Sequence, residues 1–413
     1  MLLWLPVFPT PAWTSDDRLP LAEEAALNPP AVNFEHFDHL FTEIAVDGKT
    51  MGVINIYSEY PDYAFAIEPA EGFACVDDAA RAIVLLSKQP HHSGYDDETT
   101  RKTALLIEFV LHMQNANGYF NNFLWPDGSI NTSYRTSLAE LNWWSFRALW
   151  ALESAYQMFP SDQDLTRRID HATGRLVANV KRDLPVAELK TQVVDTLELP
   201  TWLPHKYAAD QAAVAIVALL PYFKRSGDDE VLQIINALAA GIMQMQKGDA
   251  SNYPFGMFLS WKNLWHSWGN SQAYALLLAG DQLDRPDYTR SALLEIDNFV
   301  PYLLESGFSE SILIKRESNG ISEEKRTRFP QIAYGIRPMV YAASEAFRVT
   351  GDKRYLALAT SLRSWFFGQN DAARNIYDQE SGRTYDAINS ATGINLNSGA
   401  ESTIEGLLVM QQQ

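Results

Sequence analysis

Small, apolar helical stretches recur about every 60 to 70 residues along this chain, beginning near Asp78, Leu138, Lys206, His266, Ala333 and Ala400. Each is rich in Ala, Leu, Ile and Val. Between successive members lies a more charged stretch, followed by a loop containing Gly, Pro, Trp, Tyr or Asn. The charged stretches are amphipathic: Leu105, Leu106, Phe109 and Met113 make one apolar stripe within 97–114. The pattern predicts inner and outer helices in pairs at 78–88 and 97–114, 138–158 and 162–181, 206–223 and 230–246, 267–279 and 288–305, and 332–349 and 353–367. A sixth inner helix at 400–410 closes the series, with an outer partner drawn from the N-terminal residues. Small side chains let the inner helices crowd around an axis, so the series reads as one closed ring of helical hairpins. A solenoid or irregular bundle is the competing arrangement, but solenoid repeats usually run shorter, about 34 to 47 residues.

Residues 1–70 read as an arm and packing segment of the same domain as the ring at 71–413. Residues 1 to about 33 are Pro-rich, 34–41 suit a short helix, and 51–57 suit a strand preceded by an Asp47-Gly48 turn.

Charge narrows the partners. The chain carries 51 acidic against 33 basic residues, a net charge of -18 with no long Lys/Arg run to offset it. Phosphate backbones and anionic membranes are therefore poor partners, and neutral or cationic ligands fit better. No nucleic-acid or membrane partner is expected, and the oligomeric state leaves no mark in the pattern. One cysteine, Cys75, allows no intrachain disulfide. The apolar start lacks basic residues and holds Pro6, Pro9 and Pro11, which suits an extended arm better than a signal helix. A cytoplasmic protein is the expectation, with the periplasm or secretion as the alternative.

The densest polar loops precede the inner helices. The first is Glu71-Gly72-Phe73-Ala74-Cys75-Val76-Asp77-Asp78-Ala79-Ala80-Arg81-Ala82. Of its paired carboxylates, one is expected to cap the helix and the other to face the centre; a capping Asp, its pKa lowered, would suit a general base. The plainer reading is a cap plus a salt bridge to Arg81. The last loop ends in Gly399-Ala400-Glu401-Ser402-Thr403-Ile404-Glu405, with Glu401 in the first turn of the sixth helix. Ring closure would bring Glu401 toward Asp77 and Asp78, and two converging carboxylates are what glycosidic bond cleavage requires. The plainer reading of Glu401 is an acid complementing the helix dipole.

Aromatic and hydrogen-bonding residues on the other loops complete the candidate set. Trp125, Trp143, Trp144, Trp265 and Trp268 could stack on sugar C–H faces, while Arg135, Tyr207, His266, Tyr334, Arg337 and Asp386 could bind hydroxyls. Taken singly, each Trp or His is more often structural. The chain holds no H-E-x-x-H, C-x-x-C, Walker, G-x-G-x-x-G or G-x-S-x-G motif, so no cofactor or metal is expected.

On these residues the chain resembles the six-hairpin (α/α)6-toroid glycosidase superfamily over roughly 70–413: an all-α fold, here with an extended N-terminal arm and a few short strands. Its carboxylate placement is similar to that of the family-9 glycoside hydrolases, which carry a base aspartate before an early helix and an acid glutamate opening the last. Val76-Asp77-Asp78 and Ala400-Glu401 occupy those places, although Cys-Val-Asp-Asp replaces the usual Asp-Ala-Gly-Asp. Asp77-Asp78-Ala79-Ala80-Arg81-Ala82, Trp365-Phe366-Phe367-Gly368-Gln369-Asn370-Asp371 and Gly399-Ala400-Glu401-Ser402-Thr403 are similar to motifs of uncharacterised toroid domains attached to bacterial glycosyltransferases. The resemblance implies an inverting glycoside hydrolase with Glu401 as acid and Asp78 or Asp77 as base, acting on a carbohydrate. A polysaccharide lyase or sugar epimerase using Tyr334 with Arg337, or His266, is the second class. A non-catalytic glycan-binding toroid is the third.

Overall fold

The computed structural model describes residues 32–88 and 95–412. The arm expected at 1–33 lies almost wholly outside them. The chain opens with α1 (Glu35–Leu40) and a hairpin of β1 (Phe41–Val46) and β2 (Lys49–Ile54) turning at Asp47-Gly48. A smaller hairpin, β3 (Tyr57–Glu59) with β4 (Ala64–Ala66), follows. The strand expected at 51–57 is therefore split, and the pairing strand β1 begins where the short helix ends.

Helices then alternate to the C-terminus. The inner helices are α2 (Val76–Ser87), α4 (Trp143–Ala155), α6 (Ala209–Ser226), α8 (Gln272–Gln282), α10 (Ala333–Thr350) and α12 (Ala400–Met410). The outer ones are α3 (Asp97–His112), α5 (Gln163–Asp183), α7 (Asp229–Met245), α9 (Pro286–Ser306) and α11 (Lys353–Arg363). Each inner helix packs on the next, and α12 packs back on α2, so the ring closes. Short α1 packs against α12, on the side where the sixth outer helix was sought.

Residue choice explains the two layers. Every residue from Ala209 to Leu220 in α6 is buried, and eight of those positions are small or β-branched, which suits a helix enclosed on all sides. Outer α5 buries one face, built on Leu165, Ile169, Ala172, Leu176, Val177 and Val180, and turns its charged face to solvent. Three inner helices start later than the apolar pattern suggests. His205 and Lys206 have φ of 48° and 74°, conformations an L-residue does not take inside a helix, so α6 begins at Ala209. Asn142 accepts a hydrogen bond from the Trp143 N–H and sets the start of α4. A positive φ at Gly269 holds α8 back to Gln272.

The chain is connected asymmetrically. Outer-to-inner connections are long (113–142, 184–208, 246–271, 307–332 and 364–399), whereas returns at 156–162, 227–228, 283–285 and 351–352 are tight turns. The long connections carry the strands, including a sheet of β5 (Leu264–His266), β6 (Ser311–Glu317) and β7 (Gly320–Thr327) in that order. All of them lie at the end where inner helices begin, here called the mouth. Among the described residues, no helix is long and apolar enough to cross a membrane.

Candidate active site

Ring closure places the N-termini of α2, α4, α10 and α12 around one cluster of charges. Arg81 of α2 is its hub. Its Nη1 meets Asp78 Oδ1 at 2.8 Å, its Nη2 meets Glu401 Oε2 at 2.7 Å, and its Nε meets Glu405 Oε1 at 3.0 Å. Arg337 of α10 meets the other oxygen of Glu405 at 2.5 Å. Arg147 of α4 meets Asp77 Oδ1 at 2.7 Å and donates to the Tyr334 hydroxyl at 2.5 Å. The Tyr334 ring lies among all three guanidinium carbons, at 4.8, 5.2 and 5.4 Å from its centroid. Residues more than 300 positions apart in sequence thus share one guanidinium.

The two adjacent aspartates separate into different roles. Neither caps α2. The cap is Cys75, whose sulfur accepts the Asp78 N–H and whose thiol donates to Asp78 Oδ2 at 3.1 Å. Both Asp78 oxygens are therefore occupied, and its side chain is only 5% exposed. Burial raises the Asp78 carboxyl above its usual pKa, although Arg81 opposes the shift. This replaces the expectation of a capping aspartate with a lowered pKa. Asp77 gives Oδ1 to Arg147 and keeps 19% of its side chain exposed. Its Oδ2 has no partner among the described residues.

Glu401 keeps 41% of its side chain open to the mouth, yet protein atoms crowd its other sides. That burial raises its carboxyl above the usual range, with Arg81 pulling the other way and Asp78 and Glu405 adding repulsion. Three guanidiniums face four carboxylates here, an excess of one acidic group. Fully buried Glu405 fastens α2 to α10 through its two arginines. Below Tyr334 the axis is nearly filled: the void bounded by Arg81, Arg147, Trp150, Tyr274 and Arg337 holds about 10 Å³, at most one water. The reactive side of the cluster is therefore its mouth side.

The remaining candidates divide by position. Trp143 is half-buried at the start of α4, its ring 5.0 Å from the Arg147 guanidinium carbon. His266 and Trp268 stack at 3.9 Å between ring centroids; His266 is buried, Trp268 half-exposed. His266 Nε2 lies 2.9 Å from Asp210 and Nδ1 lies 2.8 Å from the Trp268 carbonyl. Asp386 accepts from the Gly399 N–H at 2.9 Å and the Ser402 hydroxyl at 2.7 Å, fixing the backbone on both sides of Glu401. Burial raises its carboxyl too.

Two tryptophans read as sugar platforms are core residues instead. Trp144 is buried with its indole N–H on the Phe120 and Leu138 carbonyls. Fully buried Trp265 packs edge-on against Phe299 of outer helix α9, facing away from the axis. Tyr207 is buried, with its hydroxyl on Gln192. Trp125 is half-buried in the turn 125–129, and Arg135 is exposed on the same long connection. Sequence reasoning missed Arg147, whose signal is a lone cation inside the otherwise apolar Trp143–Ala155. It also missed the Tyr57 hydroxyl, which donates to Glu71 at 2.5 Å at the mouth end of α2.

The class defined by this architecture is the (α/α)6 toroid, as the sequence resemblance implied at the level of the fold. No family model matches the chain, and no curated protein sequence matches it. Solved structures do. A sugar epimerase from a ruminal bacterium superposes with a TM-score of 0.63 at 12% identity, covering 95% of this chain and 98% of that one. A D-mannose isomerase gives 0.60 at 13%, covering 97% and 100%. A family 76 glycoside hydrolase from a bovine Bacteroides thetaiotaomicron strain gives 0.55 at 10%, covering 94% and 76%. At these identities the likeness is one of fold, and any reaction must be argued from the site.

Proposed function

We propose that the protein is a carbohydrate-active enzyme, a glycoside hydrolase that cleaves by inversion with Glu401 as general acid and Asp77 as general base. The observation that carries this is an accessible carboxyl with a raised pKa on α12, paired with Arg81, beside an accessible carboxylate on α2, paired with Arg147, the two guanidiniums sharing the Tyr334 ring. Glu401 gives its proton to the glycosidic oxygen as the C1–O bond breaks. Water adds to C1 from the opposite face and passes a proton to Asp77, yielding an alcohol and a hemiacetal of inverted configuration. Asp78, with both oxygens occupied, serves as a positioning residue for Arg81. Trp143 and Trp268 are the half-buried rings suited to stack on sugar. The near-balanced charge of the cluster suits an uncharged sugar.

The arginine-ringed Tyr334 favours a second reading, proton abstraction beside a carbonyl or carboxylate as in an epimerase or lyase. The solved toroids named as epimerase and isomerase are compatible with it. Its weakness is that Arg147 already engages the Tyr334 oxygen, which is buried.

The test is a glycan panel treated with wild type and Glu401→Gln, following reducing ends and the anomer first formed. Hydrolysis should release new reducing ends of inverted configuration, with the rate falling as pH rises through the raised pKa of Glu401. Turnover that survives Glu401→Gln undiminished, an epimerised product of unchanged size, or an unsaturated product would overturn the hydrolase reading.

A further inference from the structure

Among the described residues, the exposed large apolar side chains are not spread evenly. Tyr60, Phe65 and Ile67 precede α2, Leu138 precedes α4, Leu189 and Val193 precede α6 and Trp261 precedes α8, all at the mouth, whereas Tyr95 lies at the back, before α3. Those at the mouth sit on four separate connections rather than in one sheet-like patch. The β3–β4 hairpin carries Tyr60 and Phe65, with Ile67 just after it, and is bolted to the loop that enters α12. The Ser398 N–H donates to the Ser58 carbonyl at 3.0 Å, and the Ala400 N–H donates to the Ile56 carbonyl at 2.9 Å. The Tyr60 N–H donates to Asn397 Oδ1 at 3.0 Å. At Gly399 an added Cβ would lie 2.6 Å from the Ile56 carbonyl oxygen, so this close approach requires glycine. The Tyr60 backbone is thus tied to the side chain of Asn397, four positions before Glu401 in the sequence, while Tyr60 remains 55% exposed. Its ring meets the edge of Tyr63, which is itself braced by the Arg383 guanidinium at 4.0 Å.

Charge selects among ligands for such a platform. Residues 57–72 contain Glu59, Asp62, Glu68 and Glu71 and no basic residue. A polyanionic chain would be repelled there, whereas an uncharged sugar can stack its C–H face on a tyrosine ring and offer hydroxyls to the carboxylates. We infer that the β3–β4 hairpin is a substrate subsite contiguous with Glu401, with Tyr60 as its platform, and that the substrate is an uncharged glycan chain reaching several sugars beyond the bond that is cut. This rests on the hydrolase reading for the place of the cut. The binding of a chain along the hairpin stands apart from that chemistry.

The experiment measures binding of two-unit and six-unit gluco-, manno- and xylo-oligosaccharides, and of six-unit uronates, to the full-length Glu401→Gln protein by calorimetry. At least one uncharged six-unit chain should bind about tenfold or more tightly than its two-unit counterpart. Tyr60→Ala should remove most of that ratio, and Tyr60→Phe, which keeps the ring, should restore it. If no uncharged chain gains affinity with length, if uronates gain more, or if Tyr60→Ala leaves the ratio intact, the inference is overturned. Length-dependent binding without any hydrolysis by wild type would sustain the subsite and remove the hydrolase. Hydrolysis of short substrates with no gain from length would do the reverse.

Discussion

The two ends of this toroid are built from the same alternation of inner and outer helices and treat their connections in opposite ways. At the back, inner helices pass to outer ones through turns such as Gly227-Asp228 and Gly351-Asp352, where a left-handed glycine ends one helix and an aspartate caps the next. At the mouth, long connections fold into hairpins, hold buried ion pairs and leave aromatic rings exposed. The back spends its sequence on ending helices cheaply. The mouth gathers the buried ion pairs, which join helices far apart in the sequence. That contrast is why the chemistry is sought at one end only.

Disrupting the fastener beneath the mouth should have the largest effect. Glu405→Ala strands Arg81 and Arg337 without their buried carboxylate, and breaking such a pair should cost roughly 3–5 kcal/mol of stability. Urea unfolding would show it as a lower midpoint. Next comes the pair of adjacent aspartates. Asp77→Asn and Asp78→Asn each remove a charge from an ion pair with a buried arginine, so both should lower the melting temperature. Asp77→Asn should in addition lower turnover by about a thousandfold, whereas Asp78→Asn should leave most of it. An exchange of those two outcomes would place the base on the other residue.

The outer layer supplies a pH test that leaves the mouth untouched. Glu295 of α9 is buried, with only the Phe258 N–H for a partner, and its pKa is raised by burial from 4.5 to about 8. The fold therefore holds a proton that the unfolded chain releases. This protein's stability should fall as pH rises from about 4.5 to about 8 through this group, then level off. Glu295→Gln should remove that slope and gain on the order of 3 kcal/mol at pH 8, with little change at pH 4, read by thermal melts across pH. The smallest effect belongs to the back. Gly227→Ala meets no atom within 4 Å, so its cost is that of the backbone at φ +67° alone, about 1 kcal/mol, with turnover unaffected.

Much of the ring was legible because helix periodicity and residue size act locally. Ala-rich inner helices and striped outer ones follow from which faces can be buried, and α12 lies where the pattern put it, at Ala400–Met410. The starts of α4, α6 and α8 were less legible, because Asn142, His205 and Lys206 act through backbone conformations that apolar spacing does not report. Tryptophans were the least legible. Trp143 and Trp144 are neighbours on one helix, where successive residues point about 100° apart, so one meets Arg147 at the half-open start while the other is sealed under the 113–142 connection. Asp77 and Asp78 part in the same way.

By itself, then, the sequence determined an (α/α)6 alternation, the acidic character that disfavours polyanions, and the gathering of Asp77, Asp78 and Glu401 at one end of the ring. These depend on spacing and composition, which every chain carries in its own order. Only the tertiary structure decided that Cys75 caps α2, that Arg81 joins Asp78 to both Glu401 and Glu405, and that Asp77 rather than Asp78 keeps an open oxygen. Those outcomes depend on the phase with which each helix faces the axis, and that phase is set by packing between elements far apart in the chain.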